Sequence, residues 1–176
     1  MIAAVVGPSG AGKDTLIAAA RVLEPDLRLV RRTITRPGAA GGEDFEGVAP
    51  ETFVAMRAAG RFALDWQAHG LCYGIPRDQL EGPGPAIFNG SRAALPLAVA
   101  RMPGLRVVLI TAPVALLAQR LAARGREDAA QIAGRLRRAG FAMPAGIAYA
   151  TIRNDAGPEE GARRLLAALQ PDRAAR

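Results

Sequence analysis

Short apolar runs alternate along the chain with longer stretches in which apolar residues recur at helical spacing. Ile2–Val6 predicts a buried strand, and Leu16, Ala19, Ala20 and Leu23 place a helix over Lys13–Leu23. Leu27–Val30 predicts a second strand. Arg36-Pro37-Gly38 then opens a loop rich in Gly and Ala that runs to Gly42. Thr52–Ala59 reads as a short helix stopped by Gly60, and Phe62–Trp66 with Leu71–Tyr73 as a small β-ribbon. Pro85–Asn89 predicts a buried strand, followed by a helix near Arg92–Arg101. Leu105–Thr111 is the clearest central strand, rich in β-branched residues and apolar on both faces. Pro113 fits the start of a helix that continues through Ala123. Gly125–Ala129 breaks the pattern before a basic helix over Ala130–Ala139. Ala148–Ile152 predicts the last strand and Pro158–Leu169 a terminal amphipathic helix, with Gln170–Arg176 fraying.

Strands that alternate with helices imply an α/β fold with a mostly parallel sheet flanked by helices. The 176 residues suit one domain. Residues 33–80 interrupt the rhythm and predict a small inserted subdomain that caps a site. No internal repeat is present. Aromatic residues are only 5% of the chain, so the core must be built from Ala, Val, Leu and Ile. One cysteine, Cys72, excludes an intramolecular disulfide framework and a multi-cysteine zinc site, and reads as a packing residue. No apolar stretch approaches the length of a membrane span, and Ile2–Val6 is too short for a secretory core, so the expectation is a cytoplasmic protein without a membrane partner. The pattern carries no signal of oligomeric state.

Charge narrows the partners. The formal net charge is +7, which points to an anionic ligand. The arginines are scattered and no basic tract is interleaved with aromatics, which argues against nucleic acid. Among 23 basic side chains a single one is lysine, Lys13.

Lys13 closes the segment Gly7-Pro8-Ser9-Gly10-Ala11-Gly12-Lys13, a GxxxxGK pattern between a predicted strand and a predicted helix. Such a loop turns backbone N–H groups around phosphate oxygens, with the helix N-terminus adding a favourable dipole. The pattern predicts ATP bound over residues 7–15, with Lys13 reaching the β- and γ-phosphates. The residue after the lysine is ordinarily Ser or Thr, whose hydroxyl meets Mg²⁺. Here it is Asp14, followed by Thr15. A carboxylate beside phosphates calls for a cation, so Asp14 is the candidate Mg²⁺ ligand, with Thr15 the alternative. The strand over residues 86–89 ends in Asn89, where many phosphate-loop enzymes carry an Asp near the metal.

Further arginines surround a predicted lid at about 124–135. Arg120, Arg124 and Arg126 flank the helix end at Gly125, and Arg135, Arg137 and Arg138 follow. Guanidinium groups there would stabilise a phosphoryl group in flight, and Arg124 and Arg135 are the catalytic candidates beside Lys13. On the acceptor side, Arg36 can grip a phosphate bidentately, and Glu43 and Asp44 lie beyond the loop. The only Trp, His and Cys of the chain, Trp66, His69 and Cys72, fall together just before Tyr73. His69, Tyr73 and Arg92 join Arg36 as acceptor-site candidates.

These segments resemble known proteins. GPSGAGK, TITRP, the YG of Tyr73-Gly74, RGRE over Arg124–Glu127 with Arg135, and Arg153-Asn154-Asp155 resemble guanylate kinases in order and spacing. That resemblance implies their core, lid and monophosphate-binding layout. It fails at the acceptor: of the family's two arginines around this segment only Arg36 is kept, Phe45 replaces a phosphate-facing Tyr, and Leu64 aligns with the guanine-reading Glu, with Asp65 one residue on. GKDTL, RPxxxGGED, WQAHGLxYGIP and NGSR together are similar to the ribose 1,5-bisphosphate phosphokinase family. That similarity implies ATP-dependent phosphorylation of a phosphorylated sugar, ribose 1,5-bisphosphate, to 5-phosphoribosyl 1-diphosphate, in phosphonate catabolism. The alternatives are a nucleoside monophosphate kinase with an altered base pocket and a non-catalytic guanylate-kinase-like binding module.

Overall fold

The computed structural model describes residues 1–37, 44–123, 134 and 142–170. Five strands form one parallel sheet in the order β2-β7-β1-β8-β9: β1 (Ile2–Val6), β2 (Arg28–Leu29), β7 (Ala86–Asn89), β8 (Arg106–Thr111) and β9 (Ala150–Arg153). Residues 3–6 of β1 and 86–88 of β7 are fully buried, as expected for central strands covered on both faces. One face packs against α1 (Lys13–Leu23) and the last helix, α6 (Pro158–Leu169). There Leu16, Ile17 and Ala20 meet Ala162, Leu165 and Leu169 in a cluster with Val108 and Ile110. A second cluster holds Leu95 and Ala98 of α4 (Leu95–Arg101) against Ala4, Val6 and Phe88. A single turn of 3₁₀ helix at Arg92–Ala94 precedes α4, where a continuous helix was expected from Arg92; Pro96 sits in the first turn of the α-helical part. Helix α5 (Val114–Ala123) follows β8.

A second sheet of order β4-β3-β6-β5 comprises β3 (Arg32–Ile34), β4 (Phe45–Gly47), β5 (Phe62–Ala68) and β6 (Leu71–Pro76). Helix α2 (Pro50–Ala58) joins β4 to β5, and the single-turn α3 (Arg77–Leu80) follows β6. The sequence pattern missed β3 and β4, each three residues long and too short to show alternation. It also stopped the ribbon strands early; they run to Ala68 and Pro76. His69 (φ 55) and Gly70 (φ 74) make the two-residue turn between them. Both angles are left-handed, the requirement of a tight hairpin turn. The predicted helix over Ala130–Ala139 and the fraying of Gln170–Arg176 lie outside the described residues, apart from Gly134 and Gln170.

Strand alternation gives this sheet two unlike faces. Ile34 pairs with Tyr73 and Tyr73 with Trp66; Leu64 pairs with Ile75, and Ala68 with Leu71. Arg32, two residues before Ile34, shares their face. At one end this face is sealed: Leu64 and Ile75 are 1% and 0% exposed and pack against Val6, Val30 and Phe88. Towards Leu71 and Ala68 it opens onto the ends of the parallel strands.

Candidate active site

The site is the cleft of about 500 Å³ between the phosphate loop and the open end of that face. Gly7, Pro8, Ser9, Gly10, Gly12, Lys13 and Asp14 form one wall. Two glycines are required by close approach. A Cβ on Gly7 would run into the Ile110 carbonyl oxygen, and one on Gly12 (φ 85) would lie 2.5 Å from Asn154 Nδ2. The loop is held from β9: Asn154, 4% exposed, donates its side-chain amide to the Ala11 carbonyl at 2.7 Å and its backbone N–H to the Thr111 carbonyl at 2.7 Å. Lys13 Nζ donates to the carbonyls of Gly7 (3.0 Å) and Pro8 (3.2 Å), so the ammonium lies over the loop it serves. Ala11 is fully buried and supports the loop from behind. Asp14 lines the cleft and Thr15 does not.

Asp14 is joined to the strand end. Asn89, 8% exposed at the tip of β7, donates its amide to Asp14 Oδ1 at 2.7 Å. Beyond it, the Gly90 N–H donates to the Val5 carbonyl at 2.8 Å, and Gly90, Ser91, Arg92 and Ala93 continue the wall. Burial of the Arg92 guanidinium lowers its pKa from the ordinary arginine value. Among the described residues no group of three His, Cys, Asp or Glu side chains could hold a metal unaided. One carboxylate with phosphate oxygens and water is how Mg²⁺ is commonly held at nucleotide sites, so the donor set fits that ion.

The opposite wall is the second sheet: Arg32, Arg36, Trp66, Ala68, His69, Leu71 and Tyr73. Every acceptor-site candidate, Arg36, His69, Tyr73 and Arg92, therefore lines the same cleft as Lys13. Trp66 and Tyr73 stack with centroids 5.3 Å apart and planes 6° apart, and the Arg32 guanidinium lies over Tyr73 at 5.1 Å and Trp66 at 5.9 Å. Arg36 lies 4.2 Å over the ring of Phe45. Cys72 is half-buried on the other face, its N–H donating to Thr35 Oγ1 at 2.9 Å. Asp44, exposed, pairs with Arg31 at 2.8 Å.

Sequence reasoning missed Arg32, Asn154 and Ser91 as site residues. It singled out Arg120 only as one of several lid arginines. Arg120 Nη1 is buried without a hydrogen-bond partner, 3.7 Å from where a Gly12 Cβ would stand, so its charge is directed at the phosphate loop. Asp65, one residue from the position of the expected base reader, faces the other way and pairs with Arg101 at 3.4 Å and Arg57 at 3.6 Å. Arg124, Arg126, Arg135, Arg137, Arg138 and Glu43 lie outside the described residues. The charge balance of the lining is lopsided: Lys13, Arg32, Arg36 and Arg92 against Asp14. A cleft with this excess of positive charge among its described residues suits polyanions.

No helix among the described residues is long and apolar enough to cross a membrane. No protein-family model matches the chain. The chain is 50% identical over 149 residues to the ribose 1,5-bisphosphate phosphokinase PhnN of Ruegeria sp., covering 83% of this chain and 78% of that protein. It is 44% identical over 170 residues to the bifunctional ribose 1,5-bisphosphokinase-thymidine phosphorylase of Cupriavidus necator, covering 94% of this chain and 28% of that protein. The chain thus spans little more than a quarter of that bifunctional relative. Among solved structures, guanylate kinase from Anaplasma phagocytophilum superposes with a TM-score of 0.64 at 20% identity, covering 94% of this chain and 81% of that one. The fold is that of guanylate kinase.

Proposed function

Because the chain belongs to the family of ribose 1,5-bisphosphate phosphokinases, we propose that it transfers the γ-phosphoryl group of ATP to the 1-phosphate of ribose 1,5-bisphosphate. An oxygen of that phosphate attacks the γ-phosphorus, the bond to the β,γ-bridging oxygen breaks, and 5-phosphoribosyl 1-diphosphate and ADP leave. The nucleophile is already largely dianionic near neutral pH, since a phosphomonoester's second pKa is about 6. Such a nucleophile needs no general base.

The observation that carries this reading is the pairing of a complete phosphate loop with an acceptor wall that offers cations and aromatic rings and, among its described residues, no carboxylate. Residues 7–14 hold the ATP phosphates through backbone N–H groups, and Lys13 swings from its loop carbonyls to the β- and γ-phosphates. Asp14, oriented by Asn89, is the residue that would hold Mg²⁺, which when bound neutralises charge on the β- and γ-phosphates. Arg36 and Arg92, on opposite walls, hold the reacting phosphate in line, and His69 and Tyr73 border the sugar. Arg124 and Arg135 are assigned to the lid that shields the transfer. Leu64 faces Ile75 in the sealed row, so a guanine would find no hydrogen-bonding partner there.

Phosphorus NMR of the products tests the proposal. Incubation with ATP, Mg²⁺ and ribose 1,5-bisphosphate should yield the diphosphate resonances of 5-phosphoribosyl 1-diphosphate. Consumption of GMP in place of the sugar would make the chain a nucleotide kinase, and ATP binding without transfer to either would favour a binding module.

A further inference from the structure

One backbone position in the cleft stands against local preference. His69, at the tip of the β5–β6 hairpin, has a φ of 55°, the only positive φ on a residue other than glycine among those described. A side chain in that region crowds its own backbone, so glycine and asparagine take such positions most readily. Ala68 pairs with Leu71, which leaves His69 and Gly70 (φ 74) as a two-residue loop with both angles positive. Asn-Gly is the strongest sequence solution for such a loop. The chain has glycine at the second position and its only histidine at the first.

Packing does not account for that choice. His69 is exposed, and a Cβ added to Gly70 would meet open space, so the tip is not wedged against the fold. What His69 does have is a place in the lining of the cleft, together with Ala68, Leu71 and the phosphate loop. Backbone strain of this kind persists where a site uses the residue that bears it. An imidazole offers a ring N–H farther from the backbone than an asparagine amide, and glycine offers none. We propose that His69 donates a hydrogen bond from its ring to the bound sugar phosphate, and that the hairpin gives up turn stability to hold it there. His69 is then a determinant of acceptor affinity, separate from the loop that holds ATP. The assignment rests on the function proposed above.

His69→Asn and His69→Gly test it, because a merely structural histidine would move stability and binding in the same direction. Melting of the free protein should rise by about 1–4 °C in His69→Asn and should not fall in His69→Gly. In both variants the KM for ribose 1,5-bisphosphate should rise roughly 10- to 100-fold, with the KM for ATP within about twofold of wild type. An unchanged KM for the sugar, or equal weakening of sugar and ATP, overturns the inference. So does a lower melting temperature in both variants, which would make the imidazole a prop of the turn. A wild-type protein that does not convert the bisphosphate refutes the proposed function and this inference with it; a converting wild type whose variants keep their KM refutes the inference alone.

Discussion

Asn89 donates its side-chain amide to the carboxylate of Asp14 at 2.7 Å, tying the tip of β7 to the first turn of α1. In the common phosphate-loop arrangement the loop residue carries a hydroxyl and an Asp elsewhere helps to hold the metal. Here the charge sits on the loop and the neutral donor on the strand. Under the proposed function Asn89 orients Asp14, whose second oxygen would meet the cation.

That exchange predicts a rescue. Asp14→Ala should lower turnover by about two orders of magnitude, and Asn89→Ala should weaken metal binding about 10- to 100-fold by freeing the carboxylate. Asn89→Asp brings two carboxylates together and should also fail. Asp14→Ser combined with Asn89→Asp should recover activity over either single variant, and Thr15→Val should leave the Mg²⁺ requirement unchanged. Rates titrated with Mg²⁺, with Mn²⁺ binding followed by electron paramagnetic resonance, read these effects; a double variant no better than its parents refutes the exchange.

Asn154 predicts a different signature, because it holds the loop without lining the cleft. Asn154→Ala should cost about 1–3 kcal/mol of stability by orphaning the buried Ala11 carbonyl. It should also raise the KM for ATP more than that for the sugar. Melting curves with and without ATP, together with the two KM values, check this.

Leu64→Glu restores the residue type that the resemblance to guanylate kinases expected. The structure predicts no gain of GMP phosphorylation. The new carboxylate would be buried opposite Ile75, with no cation in the sealed row. The variant should lose about 3–5 kcal/mol of stability. A folded variant that phosphorylates GMP would show that the base pocket survives.

These predictions divide along a line between local and distant information. Gly7–Lys13 was legible because the strand, the loop and the helix are contiguous and each is dictated by near neighbours. The central strand β8 was legible because six consecutive residues share one character. Arg32 was not, because its place in the cleft comes from a three-residue strand paired with β6 some forty residues on. The sequence left Leu64 and Asp65 as competing candidates; strand alternation separates them, sending one into the sealed row and the other to Arg57 and Arg101. Asn154 contacts the loop across 143 positions, a separation no local pattern encodes. His69 was noticed for its rarity, whereas its place at the cleft follows from the left-handed turn it shares with Gly70.

The central claim is that the acceptor wall reads phosphates and excludes a base. It is tested most directly by the ratio of kcat/KM for ribose 1,5-bisphosphate to kcat/KM for GMP, measured with ATP and Mg²⁺ on the wild-type protein. The apolar Leu64–Ile75 row and the cationic lining of the cleft predict a preference for the sugar of about three orders of magnitude or more. A ratio near one, or in favour of GMP, would contradict it.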